Sequence, residues 1–164
     1  MSIKLGGKAP AFSGTDQNGN PVSLKDFLGR KVALYFYPKD DTPGCTAQAC
    51  NLRDNHHELL QKGIAVIGVS PDPVEKHKKF ETKYSLPFPL IADTQARIAS
   101  KYGVWGPKKF MGREYIGLHR TTFLINEKGK IDAIIDKPIT KNHTEQILQT
   151  WQGAGKGSKA AKQK

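Results

Sequence analysis

Tyr35-Phe36-Tyr37-Pro38-Lys39-Asp40-Asp41-Thr42-Pro43-Gly44-Cys45-Thr46-Ala47-Gln48-Ala49-Cys50 is the stretch around which the chain is built. The apolar run Val32 to Tyr37 stops at Pro38, a polar loop follows, and the pattern turns helical near Pro43. Proline suits a first helical turn, because its missing N–H would have no partner there and its φ is already helical. Thr42, just before it, is a residue type that caps helix starts. The order strand, loop, helix therefore puts Cys45 in the first turn, where N–H groups are unpaired and the macrodipole is positive. That setting favours thiolate over thiol and makes a cysteine nucleophilic. A free cysteine is more often a small buried hydrophobe. Here the polar flanks and Pro43-Gly44, which keep bulk away from the helix start, favour the reactive reading.

Upstream, residues 8–24 hold two short extended pieces around Asp16-Gln17-Asn18-Gly19-Asn20, and Asn-Gly predicts a small antiparallel ribbon. Ser23 offers an N-cap for a short turn through Leu24 and Phe27. Lys31 to Tyr37 is apolar without alternation, as expected of a strand covered on both faces. Downstream, Pro43 to about Gln61 reads as one helix, with Leu52, Leu59 and Leu60 on a broad face and Gly63 as its stop. Ile64 to Ser70 is a second buried strand, ended by Pro71-Asp72-Pro73, and a charged helix follows through Glu75, Phe80 and Tyr84. The order β-α-β-α predicts a right-handed crossover and parallel pairing of the two strands.

Leu86 to Ala92, with Pro87 and Pro89, suits a loop leading into an edge strand. Asp93 then caps a short helix through Ile98 and Tyr102. Gly103 to Ile116, carrying Trp105, Pro107 and Gly112, is expected to be a long irregular loop or a flap over a site. Leu118 to Ile125 and Lys130 to Ile135 flank Glu127-Lys128-Gly129 as a hairpin, and Thr140 or Asn142 caps a final helix from about His143 to Trp151. The fold class is α/β. A mixed central sheet of two parallel strands plus a C-terminal antiparallel hairpin carries helices on both faces, with the N-terminal hairpin outside it. This is a thioredoxin-like layout.

At 164 residues one domain is expected, over 1–152, with 153–164 as a basic, disordered tail. The net charge is +11, and Lys156, Lys159, Lys162 and Lys164 account for the part that lies in that acid-free tail. A basic balance suits nucleic acid or anionic substrates. No aromatic pattern interleaves with the charges, so the bland alternative of a solvated lysine-rich surface is preferred and nucleic-acid binding is not expected. No apolar run approaches a membrane span, and the first residues lack the apolar core of a signal peptide, so a cytoplasmic location is the default. Two cysteines in a reducing compartment point to redox or catalytic work rather than a structural staple.

The sequence resembles the peroxiredoxins, and within them the bacterioferritin comigratory protein (peroxiredoxin Q) group. Three motifs carry the resemblance over about residues 3 to 151: Pro38-x-x-x-Thr42-x-x-Cys45, the Cys45-x4-Cys50 spacing, and Tyr102-Gly103-Val104-Trp105-Gly106 continuing to Arg120-Thr121-Thr122-Phe123-Leu124-Ile125. The lysine-rich tail lies outside it. Where many relatives carry Glu, this chain has Gln48, so no charge is expected there. The resemblance implies a thiol peroxidase acting on hydrogen peroxide and organic hydroperoxides. Cys45 would be the peroxidatic cysteine, with Thr42 holding thiolate and peroxide by its hydroxyl. Arg120 would favour the thiolate and bond the reacting oxygens, and Pro38 would shield the sulfur from water. The N–H groups of Gly44 and Cys45 would add donors in the manner of an oxyanion hole. Cys50, the only other cysteine, is the candidate resolving residue, giving a Cys45–Cys50 disulfide. Thioredoxin or a glutaredoxin-type protein would reduce it. No metal or organic cofactor is implied, and a monomer is expected.

Two readings from other classes compete. A thioredoxin-like electron carrier would use Cys-x-x-Cys after the strand, and the four-residue gap argues against it. A zinc-stabilised binding module could draw on Cys45, Cys50, His56 and His57, but zinc pairs are usually closer in sequence, and adjacent helical histidines diverge by roughly 100°. Those histidines read better as surface residues.

Overall fold

The computed structural model describes residues 3–155. In chain order its elements are β1 (Ser13–Thr15), β2 (Pro21–Ser23), β3 (Lys31–Phe36), α1 (Pro43–Asp54), α2 (His56–Gln61), β4 (Ile64–Ser70), α3 (Val74–Tyr84), β5 (Leu90–Ala92), α4 (Arg97–Lys101), β6 (Trp105–Phe110), β7 (Arg113–Leu118), β8 (Thr121–Ile125), β9 (Ile131–Ile135) and α5 (His143–Gly155). Short 3₁₀ turns occupy Leu24–Phe27 and Thr140–Asn142.

A five-stranded sheet in the order β5-β4-β3-β8-β9 is the frame. The two β-α-β crossovers make β3, β4 and β5 parallel, and β8 and β9 pair antiparallel beyond β3. β3 is central, and its residues alternate between two cores. Val32, Leu34 and Phe36 pack with Ile67, Ile91 and Phe123 under the N-terminal ribbon and α4. Ala33, Tyr35 and, just past the end of the strand, Tyr37 pack with Leu52, Leu59, Phe80 and Ile147 under the other helices. A strand buried on both faces cannot show polar alternation, which is why its sequence reads as one apolar run. Gly68 on β4 is the cross-strand partner of Tyr35, and a Cβ there would lie 3.0 Å from the Tyr35 Cζ. Glycine leaves room for that ring.

Four expectations change. The helix from Pro43 to Gln61 is two helices, broken at Asn55. Asn55 Nδ2 donates to the Asn51 carbonyl at 2.8 Å, taking the acceptor that the backbone of residue 55 would have used in a continuous helix. The break sends Leu60 to the surface, 44% exposed, while Leu52 and Leu59 stay buried. Gly103 to Ile116 is not irregular: β6 and β7 pair antiparallel from Trp105↔Leu118 to Phe110↔Arg113. Their turn is Met111-Gly112, both at positive φ (53° and 79°), the geometry of a tight hairpin. The central sheet holds three parallel strands rather than two, because β5 joins it at the edge. The final helix continues past Trp151 to Gly155, so the first three residues of the expected 153–164 tail are helical, and the rest of it, from Lys156 on, lies outside the described residues.

α5 is tied to α1 through Asn51, whose Oδ1 accepts the Thr144 N–H at 2.7 Å and whose Nδ2 donates to the Lys141 carbonyl at 3.1 Å. At the start of α5 the buried His143 ring donates from Nδ1 to Gln146 Oε1 and accepts the Thr122 hydroxyl at Nε2, both at 2.8 Å. Burial pulls its pKa from 6.5 down to about 4; the Gln146 bond works the other way, and the Arg120 charge adds to burial. The unfolded chain therefore binds a proton near pH 6.5 that the folded chain takes only near pH 4. Stability should be full above that window and should fall as pH drops through it, by on the order of 3 kcal/mol in all. Urea midpoints at pH 7 and pH 4.5 should show this loss, and His143→Gln should flatten the difference between them.

Candidate active site

Cys45 lies where the strand-loop-helix reading puts it, in the first turn of α1. Thr42 is the N-cap by its backbone (φ −97°, ψ 159°), Pro43 opens the helix, and the first helical bond runs from the Thr46 N–H to the Thr42 carbonyl at 2.7 Å. The Gly44 and Cys45 N–H groups precede that bond and belong to the open end of the helix. The Cys45 side chain is buried at 1% exposure and packs into the core under β3. Both cysteines are free thiols, and Cys50 is half-buried further along the same helix.

Arg120, in the short link between β7 and β8, crosses over this turn. Nη2 donates to Cys45 Sγ at 3.3 Å and Nη1 donates to Gln48 Oε1 at 2.7 Å. Gly44 makes the approach possible: a Cβ there would stand 3.2 Å from Arg120 Nη2. The guanidinium and the open helix end both favour negative charge on the sulfur. The Tyr35 and Tyr37 hydroxyls beneath the site are pushed up strongly, first by burial; for Tyr35 the charge of Cys45 comes next, and for Tyr37 that of Tyr35. They stay protonated and act only as neutral neighbours.

Pro38, half-buried, follows the end of β3 and heads the loop. The Thr42 hydroxyl donates to the Lys39 carbonyl at 2.9 Å, which folds the loop back on itself and leaves the oxygen lone pairs to accept. The five residues singled out from the sequence thus fall on one strand end, one loop, one helix and the link before β8. Cys45 and Arg120 are in contact. Cys50 is on the same helix but away from that contact.

Two features were not read from the sequence. Gln48 was noted only for lacking a charge, yet it holds the second arm of Arg120. Asp40 was passed over as a polar loop residue. It is 4% exposed; its Oδ1 accepts the Tyr37 hydroxyl at 2.6 Å, and its Oδ2 shares a hydrogen bond with His77 Nδ1 at 2.6 Å. His77 Nε2 donates to the Ile91 carbonyl at 3.0 Å, and the Asp40 N–H donates to Asp72 Oδ2 at 2.7 Å. At the surface Asp41, at φ 60°, accepts from Lys83 and Tyr84. α3 therefore grips the loop that precedes Cys45. The signal was available, since His77, Phe80 and Tyr84 recur at helical spacing and mark an inward face. His56, expected at the surface, is half-buried against the Phe88 ring, with centroids 5.8 Å apart.

A buried cysteine at an open helix start, touched by an arginine from a distant strand end, matches a known class. The chain belongs to the AhpC/TSA family, whose profile matches residues 5–134. It is 49% identical over 146 residues to the putative peroxiredoxin bcp of Haemophilus influenzae and 48% identical over 146 residues to peroxiredoxin Bcp of Escherichia coli (strain K12), covering 89% of this chain and 94% of each relative. A solved structure of the Xanthomonas campestris bacterioferritin comigratory protein, described for its alkyl peroxide reduction activity, superposes with a TM-score of 0.81 at 27% identity, over 87% of this chain and 90% of that one. Within the family the chain falls in the peroxiredoxin Bcp (peroxiredoxin Q) group, on a thioredoxin fold, and is a thiol-dependent peroxidase.

Proposed function

We propose that Cys45 is the thiol that attacks the peroxide, that Cys50 resolves the product, and that a dithiol protein of the thioredoxin or glutaredoxin type restores both. The observation that carries this is the Arg120 Nη2 to Cys45 Sγ contact at 3.3 Å over the open start of α1. The Cys45 thiolate attacks the distal oxygen of ROOH; the S–O bond forms as the O–O bond breaks, and the departing RO⁻ takes up a proton to leave as ROH. Arg120 and the Gly44 and Cys45 N–H groups stabilise the charge that builds on that oxygen. The Thr42 hydroxyl, its proton on the Lys39 carbonyl, accepts from the O–H of the bound peroxide, and Pro38 limits water at the sulfur.

Cys45 is left as a sulfenic acid. The Cys50 thiolate attacks its sulfur, the S–S bond forms and water leaves. Thiol–disulfide exchange with the reductant then delivers two electrons and two protons. Both thiols come from one chain, so the cycle needs no second copy, in keeping with a monomer. Free thiols in a redox cycle of this kind suit the cytoplasm. Alkyl hydroperoxides as well as hydrogen peroxide are the proposed substrates, by likeness to the Xanthomonas campestris protein.

The Cys50→Ser protein tests the division of labour. It should consume about one equivalent of peroxide and stop as a sulfenic acid that dimedone traps on Cys45. Sustained turnover of that variant with a thioredoxin system, at the wild-type rate, would contradict the resolving role.

A further inference from the structure

The C-terminal turn of α3 holds both ends of α1. At the far end, Arg53, the penultimate residue of α1, donates from Nη1 to the Tyr84 carbonyl at 2.7 Å. At the near end, just ahead of the Thr42 N-cap, the Tyr84 hydroxyl donates to Asp41 Oδ1 at 2.8 Å and Lys83 Nζ donates to Asp41 Oδ2 at 2.9 Å. Asp41 has a left-handed backbone, φ 60°, which is strained for a residue with a Cβ. Its neighbour Asp40 is fixed in the core by Tyr37 and His77. Asp41 is therefore the first residue past a fixed post, and the one that relaxes to an extended conformation when the start of α1 lets go. Two opposed effects meet there: the strain favours release, and the two bonds from α3 oppose it. Those bonds lie at the surface, with the Asp41 and Lys83 side chains 43% and 59% exposed, so each is weak and the balance is close.

We propose that Asp41, Lys83 and Tyr84 form a latch that sets the rate of the resolving step: closed, it holds the start of α1 in the helix that attacks peroxide; released, it frees that turn for Cys50 to reach Cys45. The inference rests on the reading of Cys45 as the attacking and Cys50 as the resolving thiol. Lys83 and Tyr84 act through Asp41 on the turn that carries Thr42 and Cys45, and so they are positioning residues. The Arg53 bond keeps the far end of α1 on α3, which confines the release to the first half of the helix. The bond from Lys83, followed by that from Tyr84, holds the Asp41 carboxyl below the usual carboxylate range, so the latch stays ionised near neutral pH. The two chemical steps read this latch differently. Peroxide attack draws on the closed form, which is the one the reduced protein holds, so a modest loosening leaves its rate constant unchanged. Disulfide formation draws on the minor open form, and its rate rises in proportion to that population.

Stopped-flow fluorescence of the reduced protein mixed with hydrogen peroxide separates the steps. The attack rate grows with peroxide, and resolution is the limiting rate at saturating peroxide. Tyr84→Phe keeps the ring against Phe80 and removes only the hydroxyl; it should raise the limiting rate by about threefold. Lys83→Met should raise it by about threefold as well. In both variants the second-order constant for attack should stay within about twofold of the wild type. Added salt, at about 0.5 M, screens the exposed ion pair and should speed resolution in the wild type but not in Lys83→Met. Limiting rates at or below the wild-type value in both variants would overturn the proposal. So would a fall of attack and resolution by one common factor, which marks a general loss of folded protein. Cys50→Ser serves as the control: a peroxide-independent phase that persists in it removes the resolving reading itself. Its absence there, beside wild-type rates in the Lys83 and Tyr84 variants, removes only the latch.

Discussion

Cys45→Ser should abolish peroxide reduction, leaving consumption at the level of a protein-free control. The reaction needs a donor whose electrons attack the O–O bond, and a serine hydroxyl is neither ionised near neutrality nor as polarisable as sulfur. The substitution is small enough to isolate this effect. Cys45 is 1% exposed, and a serine oxygen in its place keeps Arg120 Nη2 as a partner. Folding should therefore survive while turnover does not. Peroxide consumed per protein, with circular dichroism on the same sample, checks it. Residual turnover in Cys45→Ser combined with an inert Cys50→Ser would reverse the assignment of the two thiols.

Arg120→Met is the second large effect. It removes the one cation that, among the described residues, bonds Cys45 Sγ, while keeping a flexible apolar stem in a half-buried position. Loss of one charge-assisted donor to a developing anion costs a few kcal/mol, or about a hundredfold in the rate of peroxide attack. The Gln48 oxygen also loses its partner, a destabilisation of about 1–3 kcal/mol that should lower the thermal midpoint without unfolding the protein at 25 °C. The second-order rate constant for hydrogen peroxide is the measurement. An unchanged constant would make Arg120 a structural strand-end residue.

How far the sequence reaches can be judged at these same residues. β3 and β4 were legible because strands covered on both faces must be apolar throughout, and Lys31–Phe36 and Ile64–Ser70 are. The start of α1 was legible because Thr42-Pro43 is local chemistry. The β6–β7 hairpin was not. Residues 113–116 are exposed on both faces, so no alternation marks the strand, and Gly106 and Pro107 read as loop residues. The break at Asn55 depends on a side chain competing for a backbone acceptor, which periodicity does not register.

The site divides in the same way. Cys45 and Thr42 could be argued from their neighbours in sequence. Arg120 stands 75 residues from Cys45, and nothing local to it distinguishes it from a solvent-facing strand residue; it entered through a motif. Asp40 and His77 meet across 37 residues, and only the fold shows that a loop carboxylate is buried against a helix.

The central claim is that one helix must hold two incompatible states. Cys45 and Cys50 both lie on α1, where five residues mean about 7.5 Å of rise and about 140° of rotation, and so Cα atoms about 8.7 Å apart on largely opposed faces. A disulfide needs Cα atoms within about 7 Å and Cβ vectors that face each other. Resolution therefore requires the first turn and a half to unwind, which withdraws Cys45 from Arg120 and offers the disulfide to a reductase. Two anchors bound the unwinding: Asp40 is held by Tyr37 and His77, and Asn51 is bonded to Lys141 and Thr144. Amide hydrogen exchange across α1, in the reduced and the disulfide forms, measures this directly. The account predicts protection in the reduced form and its loss from Thr46 to Cys50 in the disulfide form, with Leu52 to Asp54 still protected. Equal protection of Thr46 to Cys50 in both forms, with the Cys45–Cys50 bond verified by mass spectrometry, would contradict it.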